Sequence, residues 1–522
     1  MKNINSPEFK FVVVGGGTAG WLTALYMRMY FPQSSIAVIE SSNLGILGAG
    51  EGTTPHFHTA LKFLNINISD FIRESHATIK NGIQFTNWHG DRETYFHPFS
   101  INSEFSYLDF SHVDRSLTNR NVNALIAEQL AQNQTLDEIC FTAQSSKRGH
   151  VVFTPGSGRA KTRIDHFRQI GRIGFHFNAN RVADYFKRIG TNTRRIQVID
   201  TLITNVTTDD RGNITHLHTD GLCLPCDFVF DCSGFHRLLI GKHFQSRWNS
   251  YQSQLPVNKA LPFFLPETEM IPPYTDSIAM RYGWMWRIPV QGRYGCGYVF
   301  DSRRCSDDDA LQEVATYLGT PVDSPHTFRF EPGSFEQTWI RNCVALGLSS
   351  GFLEPLEATS IMVTVLSLEY LFQHLNGILF DDEHARREYN DTVTSMNAAI
   401  RDFLYFHYLT HRSDSEFWAQ FRKDNVCSSE FSDKLENIRY FRDLDHLFKG
   451  PVFSKPSYLA VGAGTHWFDM TASSHQFKRL TQGSFQAPYQ QAKQQYHQHV
   501  NLHLPTTMPH RAFLEYLTAT EN

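Results

Sequence analysis

Residues 11–26 read FVVVGGGTAGWLTALY. A β-branched run, Val12 to Val14, meets Gly15-x-Gly17-x-x-Gly20, with Thr18 and Ala19 between the last two glycines, and a helical pattern follows. Glycine at such a turn lets backbone amides approach a pyrophosphate closely, and the N-terminus of the following helix stabilises its charge. A second apolar run, Ile36 to Ile39, ends in Glu40, at the spacing where an acid grips a dinucleotide's ribose. Strand, glycine turn, helix and spaced acid together predict an α/β, Rossmann-type nucleotide-binding module. Its expected cofactor contacts are Gly15, Gly17, Thr18, Ala19, Gly20 and Glu40.

Working outward, the segments that follow favour FAD over NAD. Residues 47–55, LGAGEGTTP, form a glycine-rich loop suited to lie against a flavin ring, with Ala49 as a contact. Residues 228–234, FVFDCSG, read as a buried strand that resembles the third nucleotide-contacting segment of hydroxylase-type flavoproteins. Residues 342–349, NCVALGLS, read as another buried strand, emptying into Gly351. In flavin hydroxylases this strand typically ends in Gly-Asp-Ala; here the acid is absent and GFLEPLEAT follows. Residues 156–162, GSGRAKT, lack the glycine directly before Lys161 that a P-loop needs, and read as a flexible basic loop. No second dinucleotide fingerprint is found, so the protein is expected to rely on a separate NAD(P)H-dependent flavin reductase.

Composition narrows the function classes. The 522 residues carry a formal net charge of −4, which gives no electrostatic reason to expect nucleic acid or a membrane surface as partner. The N-terminus shows no cationic and apolar signal pattern. The longest apolar stretch, Ile361 to Leu375, is broken by Thr364, Ser367, Glu369 and Gln373, short of the ~20 apolar residues a membrane span needs. Eight cysteines show no framework spacing, and the pair Cys223 and Cys226 lacks a second pair to complete a zinc tetrad, so no metal is expected. The pattern is that of a reduced, cytoplasmic protein. Phenylalanine, at 42 residues, suits an interior with flat apolar pockets.

Four separated motifs carry a further resemblance. They are GGGTAGW (residues 15–21), Lys80 within TIKNGIQF, WMWRIP (residues 284–289) and FLEPLEAT (residues 352–359). In this order they resemble the flavin-dependent halogenases of the tryptophan-halogenase type. The resemblance implies a flavin monooxygenase-like FAD module over residues 1–380, with inserted segments near 100–150, and a mainly helical substrate-binding part over 381–522. It also implies FADH2- and O2-dependent halogenation of an electron-rich, indole-like aromatic through hypohalous acid, with halide as co-substrate. Trp284 and Trp286, on one side of a strand, would be the barrier that keeps organic substrate from the flavin while halide reaches it. Lys80 would receive the oxidant, by hydrogen bonding or as a haloamine.

Ring attack generates a cationic intermediate, so a carboxylate should stabilise it and take the proton. Glu354 and Glu357 compete; the family pattern places the catalytic acid second, at Glu357. Thr359 and Ser360, at the start of an apolar helix, would bind halide. The family commonly has Ser-Thr-Gly after the glutamate, whereas this chain has Ala358-Thr359-Ser360. This departure makes bromide or iodide at least as suitable as chloride. Val198, Leu348 and Ile361 are the remaining FAD contacts carried over. Beyond residue 380 the chain reads as helical and aromatic-rich, with Trp467 and Phe468 as indole-sandwich candidates or core, and residues 490–503 as an exposed Gln/His-rich helix. A flavin monooxygenase and a catalytically silent flavin-binding module are the competing functions, and a homo-oligomer is left open.

Overall fold

A computed structural model of the chain describes residues 3–44, 51–90, 92–99, 115–156, 162–424, 426–442 and 452–519. Two compact units emerge, each gathered from three separate stretches: 1–77, 177–252 and 330–398 in the first, and 78–176, 253–329 and 399–522 in the second. The compact units therefore interleave along the sequence, whereas the expected division at residue 380 runs along the chain. The cause is sheet formation, which draws strands from distant segments into one hydrogen-bonded layer.

The first unit is built on a sheet in the order Gln197–Asp200, Ser35–Glu40, Lys10–Val14, Phe228–Asp231, Cys343–Ala345 and Trp339–Ile340. The first five strands are parallel and Trp339–Ile340 is an antiparallel edge. Phe11 stands opposite Ile36 on one side and Phe228 on the other. This central position explains the unbroken apolar run, since a parallel strand covered on both faces has no polar side. Helix Thr18–Tyr30 buries Trp21, Leu22, Ala24, Leu25 and Met27. Helix Ala179–Arg194 starts at Asn178, whose side chain accepts from the Asn180 and Arg181 amides. Gly190 on that helix makes room for the Trp21 ring, because a Cβ there would stand 2.7 Å from it. The predicted α/β module is present in this unit.

The second unit holds a seven-stranded sheet in the order Phe328–Arg329, Lys259–Pro266, Arg293–Phe300, Gly283–Val290, Tyr274–Ala279, Gly82–Thr86 and Thr94–Pro98. All neighbours are antiparallel except Tyr274–Ala279 with Gly82–Thr86. Met285, Ile278, Cys296 and Tyr298 form a core on one face with Ala310 and Val314 of helix Asp307–Leu318. Alternation along a strand places Trp284 and Trp286 on the opposite face. The stretch after residue 399 is helical, as expected, with elements that include Glu416–Asp424, Ser429–Arg439 and Lys455–Gly464. The Gln/His-rich stretch lies in helix Gln486–His503, but Tyr489, Ala492, Tyr496 and Val500 are buried. Their three- and four-residue spacing forms one inward stripe, so that helix is amphipathic rather than exposed all round. Among the described residues no helix is long and apolar enough to cross a membrane.

Candidate active site

The glycine turn is shaped by close approaches. Gly15 has φ of +119°, and a Cβ there would lie 2.1 Å from the Cys232 carbonyl oxygen. A Cβ on Gly20 would lie 1.9 Å from the Gly15 oxygen, so the helix start packs directly on the turn. Gly17 faces open space, with nothing within 4 Å of a Cβ. It also caps helix Thr18–Tyr30 with no side-chain hydrogen bond, and the buried Thr18 hydroxyl has no partner among the described residues. Unused donors at a helix N-terminus beside free space suit a pyrophosphate. These residues fit the dinucleotide that the fingerprint implies.

Glu40 closes this site on one side. Its Oε2 accepts from the Trp21 indole N–H at 3.2 Å, and its other oxygen accepts from the Lys187 ammonium. A Cβ on Gly16 would stand 1.9 Å from Glu40 Oε2, so the middle glycine lets the acid come against the loop. Trp21 and Lys187 were not anticipated from sequence as partners of the acid. Trp21 directly follows the last glycine and carried the only available signal; Lys187 sits more than a hundred residues away and carried none. Gly347, at φ +65°, lies against the same helix start, its Cβ position 2.7 Å from Ala19 Cβ and 3.8 Å from Thr364 Oγ1. Leu348, half-buried, directly follows Gly347, and Ile361 lies in the first turn of the helix to which Thr364 belongs. Val198 is half-buried in the edge strand, opposite Val38 and two residues before the level of Glu40. Ala49 and residues 157–161 lie outside the described residues.

Asp231 is committed locally. Its carboxylate accepts from the Ser233 amide at 3.1 Å, the Ser233 hydroxyl at 2.6 Å, and the Leu239 and Ile240 amides at 2.7 and 2.9 Å. It thus caps the short helix Leu238–His243. The Cys223 and Cys226 thiols are free, one exposed and one buried, and the described residues contain no His, Cys, Asp and Glu cluster arranged for a metal.

In the segment 352–360, Glu354 and Glu357 are 0% and 1% exposed, so burial does not separate their roles. Residues Pro355–Glu357 form one 3-10 turn, closed by the Ala358 amide on the Pro355 carbonyl at 3.0 Å. Ala358 takes the left-handed conformation, φ 54° and ψ 41°, and helix Thr359–Gln373 follows with no side-chain cap. Thr359 is buried and Ser360 is exposed, so the two residues expected to bind halide differ in environment.

The second unit carries the tryptophan pair and the lysine. Trp284 is 1% exposed and Trp286 half-buried, with ring centroids 6.2 Å apart. Trp286 lies flat over Gly297, where a Cβ would fall 2.2 Å from its ring. The two rings are tilted 59° to each other, and Trp286 is seated by a glycine on the neighbouring strand. Lys80 ends the strand Thr78–Lys80, which pairs antiparallel with Gly174–Phe177. Its side chain is fully buried, with Nζ 5.4 Å from the Phe99 ring centroid. Trp467 is half-buried, and its indole N–H donates to the Leu435 carbonyl at 3.2 Å. Phe468 is buried over Gly462.

A glycine cradle at the carboxyl ends of a parallel sheet defines the dinucleotide-binding class of α/β proteins. The family model for tryptophan halogenase matches residues 10–479. The tryptophan 6-halogenase ThaL of Streptomyces albogriseolus is 30% identical over 451 residues, 82% of this chain and 81% of that protein. The tryptophan 7-halogenase KtzQ of a Kutzneria species is 31% identical over 451 residues, again 82% and 81% of the two chains. A solved flavin-dependent halogenase from Xanthomonas campestris superposes with a TM-score of 0.80 at 26% identity, covering 98% of this chain and 99% of that one. The chain belongs to the tryptophan halogenase family, and it is an enzyme of the flavin-dependent halogenase class.

Proposed function

We propose that the protein halogenates an electron-rich, indole-like aromatic, using FADH2 and O2 with bromide or iodide at least as readily as chloride. Gly15, Gly17, Thr18, Ala19, Gly20 and Glu40 would hold the dinucleotide, with Ala49, Val198, Leu348 and Ile361 as further contacts. Residues 1–380 would carry the flavin machinery and 381–522 would contribute substrate binding. When bound and reduced, FAD supplies with O2 the two-electron oxidation of halide to hypohalous acid. A separate NAD(P)H-dependent reductase would deliver the reduced flavin.

The chain's own residues then direct the oxidant. Trp284 and Trp286 exclude the aromatic substrate and leave passage for a small halide. Thr359 and Ser360 present helix-start amides to that anion. Lys80 donates a hydrogen bond to the hypohalous acid oxygen, or as a free amine forms the haloamine, and so holds the electrophilic halogen for transfer. The ring carbon takes the halogen and loses its proton to Glu357, with water as the other product. The observation that carries the reading is Lys80, fully buried in the unit that also holds the tryptophan pair; a buried lysine is costly, and a mere surface role would leave it solvated.

Mass spectrometry of indole incubated with the protein, FAD, a flavin reductase, NADH and bromide tests this. The bromine isotope pair in the product is expected. Gain of one oxygen would indicate a monooxygenase, and bound flavin without product a silent module. In the control without reductase, NADH is expected to persist; its consumption at enzymatic rates by the pure protein would remove the need for a partner reductase.

A further inference from the structure

Two buried imidazoles hold the strand that ends in Lys80, and neither has a part in the chemistry above. Thr78 Oγ1 lies 2.6 Å from the Pro289 carbonyl oxygen and 3.1 Å from His176 Nδ1. A hydroxyl has one proton and the carbonyl only accepts, so Thr78 donates to Pro289 and accepts from His176 Nδ1–H. Burial and the neighbouring Lys80 and His510 push the His176 imidazole well below its ordinary pKa, so it is neutral, and Nε2 accepts from the Thr275 hydroxyl at 2.9 Å. A directed chain results, Thr275 to His176 to Thr78 to Pro289. Thr78 and His176 are fully buried and Thr275 is 6% exposed, so water does not compete for these atoms.

The second imidazole acts on the backbone. His510 Nε2 accepts from the Ile79 amide at 2.9 Å, and its Nδ1–H donates to the Ile271 carbonyl at 3.0 Å. The strand Thr78–Lys80 is thus anchored at its first side chain and at its middle amide. Residues two apart face the same side of a strand, so the rotation that is set at Thr78 also sets the direction in which Lys80 leaves the backbone. Pro289 closes the motif that contains Trp284 and Trp286. The chain of hydrogen bonds therefore ties the lysine's strand to the tryptophan strand, within one unit. Apolar side chains would fill the same space without the desolvation cost of buried polar groups, whereas a fully satisfied polar network specifies one geometry.

We propose, on the reading of Lys80 given above, that His176 is a positioning residue for the reaction: through Thr78 it aims Lys80 at the oxidant, with His510 as a second brace. The test measures halogenated indole formed per FADH2 oxidised, together with free hypohalous acid trapped by a 1,3-diketone scavenger, in wild type, Lys80→Ala, Thr78→Val, Thr78→Ser, His176→Phe and His176→Asn. Unfolding temperature and FAD affinity are measured on each. Thr78→Val and His176→Phe are expected to lower product per FADH2 by roughly 10-fold to 10²-fold, the scale of a misplaced catalytic group, with trapped oxidant rising in step. Thr78→Ser restores the hydroxyl and His176→Asn a donor near the Nδ1 position, and both are expected to recover most of the yield.

A merely structural role would lower unfolding temperature and FAD affinity together, leave the ratio of product to trapped oxidant unchanged, and overturn the assignment. Wild-type yield in both Thr78→Val and His176→Phe beside an uncoupled Lys80→Ala would overturn it as well, while sparing the Lys80 reading. Full yield in Lys80→Ala would instead remove the reading of Lys80, and the positioning role with it.

Discussion

Lys80, Glu354 and Glu357 are all closed off from solvent in their own units. Ionisable side chains stay buried only where partners or function offset the loss of water; Asp231, equally buried, meets that condition by capping a helix, so burial alone neither singles out these three nor ranks the two glutamates. Exchange of Glu357 for glutamine keeps the shape and removes the carboxylate proposed as the base. It is expected to slow ring halogenation by roughly 10²–10⁴-fold, the range for a positioned acid–base group. Single-turnover halogenation of indole would show this. A larger loss in Glu354→Gln, with the fold intact, would swap the two roles. At this scale the motif residues were legible in the sequence, because Lys80, Trp284, Trp286 and Glu357 sit in short, ordered patterns. Trp21, Lys187, His176 and His510 were not, since each acts on a partner far along the chain or, like Trp21, through an orientation no pattern records.

Elements position these side chains through close packing, and two elements make separate predictions. The first is the glycine turn, where Gly16 leaves room for Glu40. Gly16→Ala would force the carboxylate off the loop and disturb its hydrogen bond from Trp21. The displaced carboxylate would also lose the ribose hydrogen bond that the fingerprint implies; loss of one charged hydrogen bond, about 1.5 kcal/mol, corresponds to FAD binding weaker by roughly tenfold. Flavin fluorescence titration reads this directly, and unchanged affinity would separate Glu40 from the cofactor. The second is the start of helix Thr359–Gln373, which has no side-chain cap. A halide held there, as proposed, would meet dipolar hydrogen bonds rather than a full counter-charge, so size and dehydration would distinguish the anions, and larger halides shed water more easily. Equimolar halide competition on an activated aromatic, with a scavenger control, is expected to favour bromide or iodide. Ser360→Gly is expected to shift the ratio. A chloride preference that the variant leaves unchanged would count against both statements.

Across the whole molecule, buried titratable groups link stability to pH. His510 is pushed down to about 3, chiefly by burial, from an ordinary value near 6.5. Its folded pKa is therefore depressed, so the stability present above about pH 6.5 is lost as pH falls towards 3, because only the unfolded chain takes up the proton. Burial raises several carboxyls, among them Glu51 to about 7, and these act in the opposite sense. The difference between wild type and a non-titrating variant isolates the histidine. Between pH 7.5 and 5.5, His510→Gln is expected to lose about 1.4 kcal/mol less stability than wild type, as read by urea unfolding at each pH. Parallel pH curves for the two proteins would refute this.

The sequence by itself determined the nucleotide-binding α/β module, because a strand, a glycine turn and a helix N-terminus are local structures whose residues lie side by side in the chain. It also determined the family, since WMWRIP and FLEPLEAT keep their order and spacing whatever surrounds them. Only the tertiary structure decided how the chain packs into compact units, each gathered from three separate stretches of sequence. It alone showed that Asp231 is spent capping a helix, that Glu40 is held by Trp21 and Lys187, and that Gln486–His503 has a buried stripe. The reason is physical: sheet pairing and burial are contacts between residues far apart in sequence, and their geometry exists only once those segments are packed together.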